Sequence, residues 1–300
     1  MLKARVIIKL QGGLGNQMFQ YAAARGLVNG VGRIGLDTSF LLEHSSDTEH
    51  FTAREFELGI FRNLRVYSAT AHKLSLFKSQ TIFYKLLRAF QRRKPIYVKQ
   101  PDANYMPLPD SQQYQIFLEG YFQSAKYFEY IREQLLNEFE FPAMDDENKA
   151  LQADICNTIN AVSIHIRRGD YVRSGVIGSV HGVLPITYYQ QAISYLKSRY
   201  SELRYFVFSD DISWAKENLN LEQVYFIGHN TGRESWKDMA LMTKCTHHII
   251  ANSSFSWWGA WLAQRDGTTL APAQWFNPRQ VIFNIDDYIP QNWIVVANAS

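Results

Sequence analysis

The 300-residue chain has only two cysteines, Cys156 and Cys245, far apart and in no metal-ligand spacing. That excludes a disulfide-stapled fold and a thiolate zinc site, and both are expected as buried free thiols of a reducing compartment. No apolar run is long enough to span a bilayer, and the run within MLKARVIIKLQGG is too short for a signal peptide. Asp-x-Asp, the pattern of metal-dependent nucleotide-sugar transferases, is missing. Adjacent His247 and His248 would diverge from a strand, so no zinc cluster forms there either. No metal is expected. The glycine-rich turn after Leu10 is not a Walker loop, because no Gly-Lys-Ser/Thr follows, nor a dinucleotide fingerprint, because Met18 stands where the third glycine belongs. Finally, Leu58 to Pro101 contains no acidic residue.

That acid-free stretch holds Arg62, Arg65, Lys73, Lys78, Lys85, Arg88, Arg92, Arg93, Lys94 and Lys99. Leu74, Phe77, Ile82, Phe83, Leu86, Leu87 and Phe90 recur among them near helical spacing, predicting one amphipathic helix. A basic amphipathic helix suits an anionic membrane surface or an acidic partner; the plainer reading is a solvated face over an ordinary core. The placement expected is cytoplasmic, with peripheral contact to the inner membrane face through residues 62–99 as the further option. A net charge of +3 is too small to mark a nucleic-acid binder. Hydrophobic residues make up 46% and charged residues 20%, the balance of a globular chain. Aromatics, at 14%, exceed what packing usually needs, which suits sugar faces or an aromatic-rich core.

Strand-like runs alternate with helical ones along the chain. Ala4–Leu10, the Gln11–Gly15 turn and a helix from Asn16 to Gly30 open an α/β unit. Arg33–Asp37 and Tyr114–Phe122 read as further strands, and Ser124–Phe139 as a helix. Phe141-Pro142 and the acidic run Asp145–Glu147 read as a linker. Beyond it come strands at Ala161–Ile166, Tyr205–Phe208, Val224–Ile227, His248–Ala251 and Thr268–Ala271, the last stopped by Pro272. A loop at Arg173–Gly182 and helices near Ile186–Tyr200, Ser213–Asn218, Ser235–Thr243 and Trp257–Gln264 separate them. Parallel sheets covered on both faces follow, in two α/β domains, 1–145 and 146–300, facing a cleft.

Three strand ends of the second half finish in polar residues of different kinds. Arg167 and Arg168 offer guanidinium forks that match phosphate oxygens. Ser209, Asp210 and Asp211 offer acceptors for a ribose or a base edge. Asn252, Ser253, Ser254 and Ser256 stand at a helix start, where hydroxyls and backbone N–H groups receive phosphate. Together they read as a site for a nucleoside diphosphate. Each has a structural alternative: an ion pair of the arginines with Asp170 or Asp211, or helix capping by the aspartates and serines.

His165-Ile-Arg-Arg-Gly-Asp-Tyr171, GGLGNQMFQYA from Gly12 to Ala22, and SSFSWWGAW from Ser253 to Trp261 resemble the α-1,2-fucosyltransferase family, glycosyltransferase family 11. The resemblance runs from Gly12 to about Trp275. It implies a GT-B fold of two Rossmann-like domains, GDP-β-L-fucose as donor, a galactose-terminated glycan as acceptor, inversion at the anomeric carbon, and neither metal nor other cofactor. On this resemblance Arg167 holds the β-phosphate, with His165 and Arg168 beside it. Asp210 or Asp211 binds guanine or ribose, and Ser254, Phe255 and Ser256 line the diphosphate. Gly13, Gly15 and Asn16 face the donor from the first domain, Asn16 counting with the catalytic group. The base is Asp170, His165 or Asp37, and aromatic side chains of the first half stack on the acceptor. A transferase making O- or α-1,6-fucosyl linkages, or a non-catalytic nucleotide- or glycan-binding module, remain the alternatives.

Overall fold

The computed structural model describes residues 6–44, 46, 53–169 and 182–297. The chain divides between Pro142 and Ala143 into two compact units, each built on one parallel sheet.

In the first unit the strands are β1 (Val6–Lys9), β2 (Ile34–Asp37), β3 (Val66–Ser68), β4 (Lys94–Lys99) and β5 (Tyr114–Glu119). They lie side by side in the order β3-β2-β1-β5-β4. Chain order reverses between β1 and β5, so the carboxyl ends of those two strands flank a crevice of the kind where open α/β sheets hold ligands. Helix Leu14–Leu27 follows β1 and is buried over most of its length, its run Ala22–Ala24 allowing close packing. Gly26 is required there: a Cβ would stand 1.9 Å from the Tyr127 carbonyl oxygen. Arg25, almost fully buried, donates Nε to Glu138 Oε2 at 3.0 Å, and Tyr21 Oη donates to the same oxygen at 2.6 Å. Without that carboxylate the arginine would be an uncompensated charge in the core.

The second unit comprises β6 (Asn160–Ile166), β7 (Leu203–Ser209), β8 (Val224–Ile227), β9 (His247–Ile249), β10 (Thr269–Pro272) and β11 (Ile294–Val296). Their order, β11-β10-β9-β6-β7-β8, is the doubly wound Rossmann arrangement. The reversal falls between β6 and β9, which places Arg167 and Asn252–Ser256 at the mouth of the crevice. Val162, Ile164 and Ile166 alternate onto one face of β6 and pack under helix Ile186–Lys197.

Several expectations need correction. The residues 74–90 form two helices, Ala71–Lys78 and Ile82–Ala89, broken at Ser79-Gln80-Thr81. Leu74, Phe77 and Leu87 turn inward onto Ile7 and Phe117, while Ile82, Phe83, Leu86 and Phe90 face outward. The acidic run near 145 is a helix start, not a linker: Asp145 accepts from the Asn148 backbone N–H at 3.0 Å and caps helix Asp146–Asn157. The helix after β1 begins at Leu14, so Gly15 lies in its first turn rather than in the loop. From Ser124 the chain makes short turns before a helix at Arg132–Glu138, and the last helix of the serine segment starts at Ser254, not Trp257. Pro272 belongs to β10 and pairs with Val296. Cys156 is exposed; only Cys245 is buried, and burial pushes its thiol up. Trp257 and Trp258 are fully buried core residues, with Trp257 Nε1 donating to the Tyr288 carbonyl at 2.8 Å.

Candidate functional site

Of the residues expected at the β6 end, His165, Arg167 and Arg168 are described; Asp170 and Tyr171, like the 173–181 loop, lie outside the described residues. β6 and β7 run in register over their whole length, Ile166 opposite Ser209. That pairing delivers Arg167 and Arg168 directly beside Asp210 and Asp211. Arg167 Nη1 stands 3.0 Å from Asp210 Oδ2, and the Arg168 backbone N–H donates to Asp210 Oδ1 at 2.9 Å. Asp210 therefore grips both residues at once, and the arginine pairing expected with Asp170 or Asp211 is made by Asp210 in the case of Arg167. Gly169 permits this: a Cβ there would come within 2.8 Å of Asp210 Oδ2. A guanidinium carries five N–H donors in a rigid fork, so one carboxylate contact orients the group without using up its capacity.

Arg168 makes a different set of contacts. Its Nε lies 3.4 Å from Asp211 Oδ2, and its guanidinium covers the Trp214 ring at 4.1 Å. Asp211 also caps helix Ile212–Asn218 by accepting from the Trp214 N–H at 3.1 Å, while Ser209 Oγ accepts from the Asp211 N–H at 2.9 Å. The capping alternative thus describes Asp211, and Ser209 shapes the turn that holds it. Trp214 was not legible as a site residue; nothing in the sequence ties it to Arg168.

His165 sits one step back in the strand, its ring 5.7 Å from that of Phe255. Burial, with the Arg167 charge second, pushes its pKa down to about 3, so the imidazole is neutral near pH 7 and a weak proton acceptor. Its buried Nδ1 has no hydrogen-bond partner. The ring contact joins the β6 end to the start of helix Ser254–Trp261, and so unites two of the three strand ends. At that start Ser253 caps the helix through the Phe255 N–H at 3.3 Å. Ser256 departs from expectation: it is buried, accepting from the Ala251 N–H at 3.2 Å, and holds the turn rather than lining a ligand surface. Asn252 is buried too, donating Nδ2 to the Gly182 and Trp275 carbonyls, each at 3.2 Å. Ser253, Ser254 and Phe255 keep partly open positions.

In the first unit the glycine turn is anchored by buried amides. Gln17 Nε2 donates to the carbonyls of Gly12 and Glu55, both at 2.8 Å, while its Oε1 accepts from the Glu57 N–H at 3.0 Å. Gly12 has φ +76°, the left-handed region that favours glycine. Gly13 precedes the helix, and a Cβ on it would lie 3.4 Å from Glu57 Oε1. Asn16 Oδ1 accepts from Gln123 Nε2 at 2.6 Å, which ties the turn after β1 to the chain leaving β5. Gln20, equally buried, links the same two segments, accepting from the Gln11 N–H and donating to the Gly120 carbonyl.

The same sheet edge carries a feature the motif reading passed over. β2, β1, β5 and β4 end on Asp37, Lys9, Glu119 and Lys99, charges alternating in sign across adjacent strands. Lys9 pairs with Glu119 at 3.4 Å and Lys99 with Glu119 at 3.8 Å. Buried Asp37 pairs with Lys78 at 2.8 Å, and Lys78 with the Ser39 N–H holds its carboxyl below the usual range against the opposing effect of burial. Tyr97 donates to Glu119 and stacks on Phe117 at 5.2 Å. Read from sequence alone, β1 continues to Leu10 and β5 to Phe122, and β4 is not among the expected strands, so the row of charged ends emerges only from the strand bounds.

Among the described residues no group of three or more His, Cys, Asp or Glu is placed to hold a metal ion, and no helix is long and apolar enough to cross a membrane. Comparison with known proteins gives the chain its relatives. The family model described as glycosyl transferase family 11 matches residues 64–297. An alpha-1,2-colitosyltransferase of Escherichia coli is 35% identical over 308 residues, covering 96% of this chain and 98% of that one. The human galactoside alpha-(1,2)-fucosyltransferase 1 is 30% identical over 172 residues, 51% of this chain and 45% of that protein. Among solved structures, the alpha-1,6-fucosyltransferase NodZ co-crystallized with GDP superposes with a TM-score of 0.50 at 12% identity, covering 86% of this chain and 92% of that one, a likeness of GT-B fold.

Proposed function

The chain belongs to glycosyl transferase family 11, and from that premise we propose that it is an inverting, metal-independent galactoside α-1,2-fucosyltransferase. It moves L-fucose from GDP-β-L-fucose to the 2-hydroxyl of a β-galactoside in a glycan. The observation that carries this reading is the guanidinium of Arg167, oriented by Asp210 at the switch point between β6 and β9. In the reaction the bond between fucose C1 and the β-phosphate oxygen breaks, leaving its electron pair on GDP. The acceptor 2-oxygen bonds to C1 from the opposite face and gives up its proton late. Negative charge therefore grows on the diphosphate, where a preorganised cation is worth a few kcal/mol. Arg167 supplies that charge on the β-phosphate. Arg168, stacked on Trp214, and the helix start at Ser253–Phe255 complete the diphosphate cradle.

The second unit is, on this reading, the donor side, and the first the acceptor side. Lys9, Glu119 and Lys99 of the alternating row, all open to solvent in part, offer donors and acceptors to sugar hydroxyls, and Tyr97, exposed beside them, offers a ring to a pyranose face. Of the three candidate bases, His165 is neutral and weakly basic, and Asp37 is buried, paired with Lys78 and held low, so it too accepts a proton poorly; Asp170 lies outside the described residues.

A second reading is favoured by the extent of the likeness to the colitosyltransferase: transfer of the 3-deoxy counterpart of fucose by the same chemistry. One experiment separates them. Purified protein is given GDP-fucose or the corresponding GDP-3,6-dideoxyhexose with a panel of β-galactosides, and the product linkage is read by NMR. An α-1,2-fucosyl product at the higher kcat/KM supports the proposal. Preference for the dideoxy donor moves the assignment to the second reading, and an α-1,6 linkage, or GDP binding without turnover on any acceptor, overturns both.

A further inference from the structure

We propose that helix Ile82–Ala89 and the segment after it form a docking surface for an anionic lipid bilayer. Ile82, Phe83, Leu86 and Phe90 are 73%, 60%, 56% and 86% exposed. At helical pitch they span an arc of about 100°, a continuous apolar strip rather than scattered side chains. The rest of the helix is already occupied: Leu87, next to the strip, packs toward Ile7 and Phe117, and Arg88 Nη1, on the opposite side, donates to the carbonyls of Leu76 and Ser79 at 3.1 and 2.8 Å. The helix is thus fixed to the sheet by one face and presents the other outward. Lys85 on the same helix and Arg92 and Lys94 just after it are exposed, and Lys85 and Lys94 meet at one basin. This shallow basin, about 460 Å³, is lined by Lys85, Arg88, Ala89, Gln91, Lys94 and Pro95, so cationic side chains border a largely apolar hollow.

Charge decides the occupant. The absence of any Asp or Glu from Leu58 to Pro101 leaves the cations of this surface without a local counter-charge in the sequence. A second copy set face to face on the strip would bring one basic rim against another. A bilayer containing acidic lipid meets both requirements together, taking the apolar strip among its acyl chains and the rim at its headgroups.

The test is vesicle co-sedimentation of the full chain, with phosphatidylcholine vesicles carrying or lacking phosphatidylglycerol, and no donor or acceptor present. The expectation is binding to the phosphatidylglycerol vesicles alone, weakening as salt rises. The triple variant Lys85→Glu/Arg92→Glu/Lys94→Glu, altered only at exposed side chains, should lose roughly 100-fold or more in partition coefficient. Phe83→Ser/Leu86→Ser/Phe90→Ser should lose binding as well. Both variants should keep the wild-type circular dichroism spectrum and the wild-type transfer rate on a water-soluble acceptor. Absence of binding to phosphatidylglycerol vesicles, equal binding to both kinds, or wild-type binding by the charge-reversed variant overturns the proposal. A concentration-dependent dimer abolished by the serine variant also overturns it, by assigning the strip to a second copy.

Discussion

Gly169→Ala probes how Arg167 is held without replacing any charged residue. The added methyl would lie 2.8 Å from Asp210 Oδ2 and 3.1 Å from its Cγ. Ordinary van der Waals contact requires the carboxylate to retreat by roughly half an ångström. That carboxylate holds the Arg168 N–H at 2.9 Å and Arg167 Nη1 at 3.0 Å, so retreat lengthens at least one bond beyond good geometry. Both side chains are about a quarter exposed, 27% and 25%. Water therefore compensates much of the loss, and the cost to stability is about 1 kcal/mol. The cost to catalysis is larger, because a displaced electrostatic group loses what preorganisation provided: kcat should fall roughly 10- to 100-fold. The assay is GDP release at saturating donor and acceptor, with thermal melting as the control for folding. A kcat within about twofold of wild type would refute the view that Asp210 positions Arg167.

Further outcomes follow from other parts of the molecule. Glu138→Ala strands buried Arg25 without its carboxylate and should destabilise the first unit by about 3–5 kcal/mol, read by denaturant melts. Asp238 is pushed up to about 7 by burial, against a hydrogen bond from Asn230 at 2.7 Å. The folded protein then holds a proton that the unfolded chain releases near its ordinary value of 3.8, so this group's contribution to stability falls between about pH 4 and 7 and is flat above. The melting difference between Asp238→Asn and wild type should grow across that window, on the order of 1–3 kcal/mol, and a pH-independent difference would contradict the assignment. Chelator should leave fucosyl transfer unchanged, with no restoration by magnesium; metal-dependent recovery would remove the case for arginine as the sole source of charge.

Much of this architecture was legible because buried strands announce themselves. VIIK and YFVF are almost wholly apolar, and AVSIHI is apolar on one face and small or buried polar on the other, as central parallel strands covered on both sides can be. The strands that escaped notice, β3, β4 and β11, all lie at sheet edges. β4 carries Pro95 and two lysines and alternates between exposed and covered positions, which is how an edge avoids pairing with another chain and also how it avoids resembling a core strand. The break between the two basic helices at Ser79-Gln80-Thr81 was missed because the apolar spacing continues across it. At the site, residue types indicated an anion-binding strand end, but the partner of Arg167 followed from the register of β6 on β7, which spacing alone does not supply. Gly169 was unremarkable until the closeness of Asp210 became visible. The serines illustrate the opposite case: their types fit phosphate binding, yet Ser256 turns inward because the strand-to-helix corner needs its hydroxyl for the Ala251 N–H.

The central claim is that Arg167 stabilises the departing diphosphate. It is tested most directly by the single-turnover rate of fucosyl transfer by Arg167→Ala, alongside calorimetric GDP binding and a melting curve. The account predicts a rate lowered by about 10²–10³ with the fold retained. Arg167→Lys should recover only part of it, since an ammonium lacks the planar fork that Asp210 orients. A wild-type single-turnover rate in the folded Arg167→Ala protein would contradict the account.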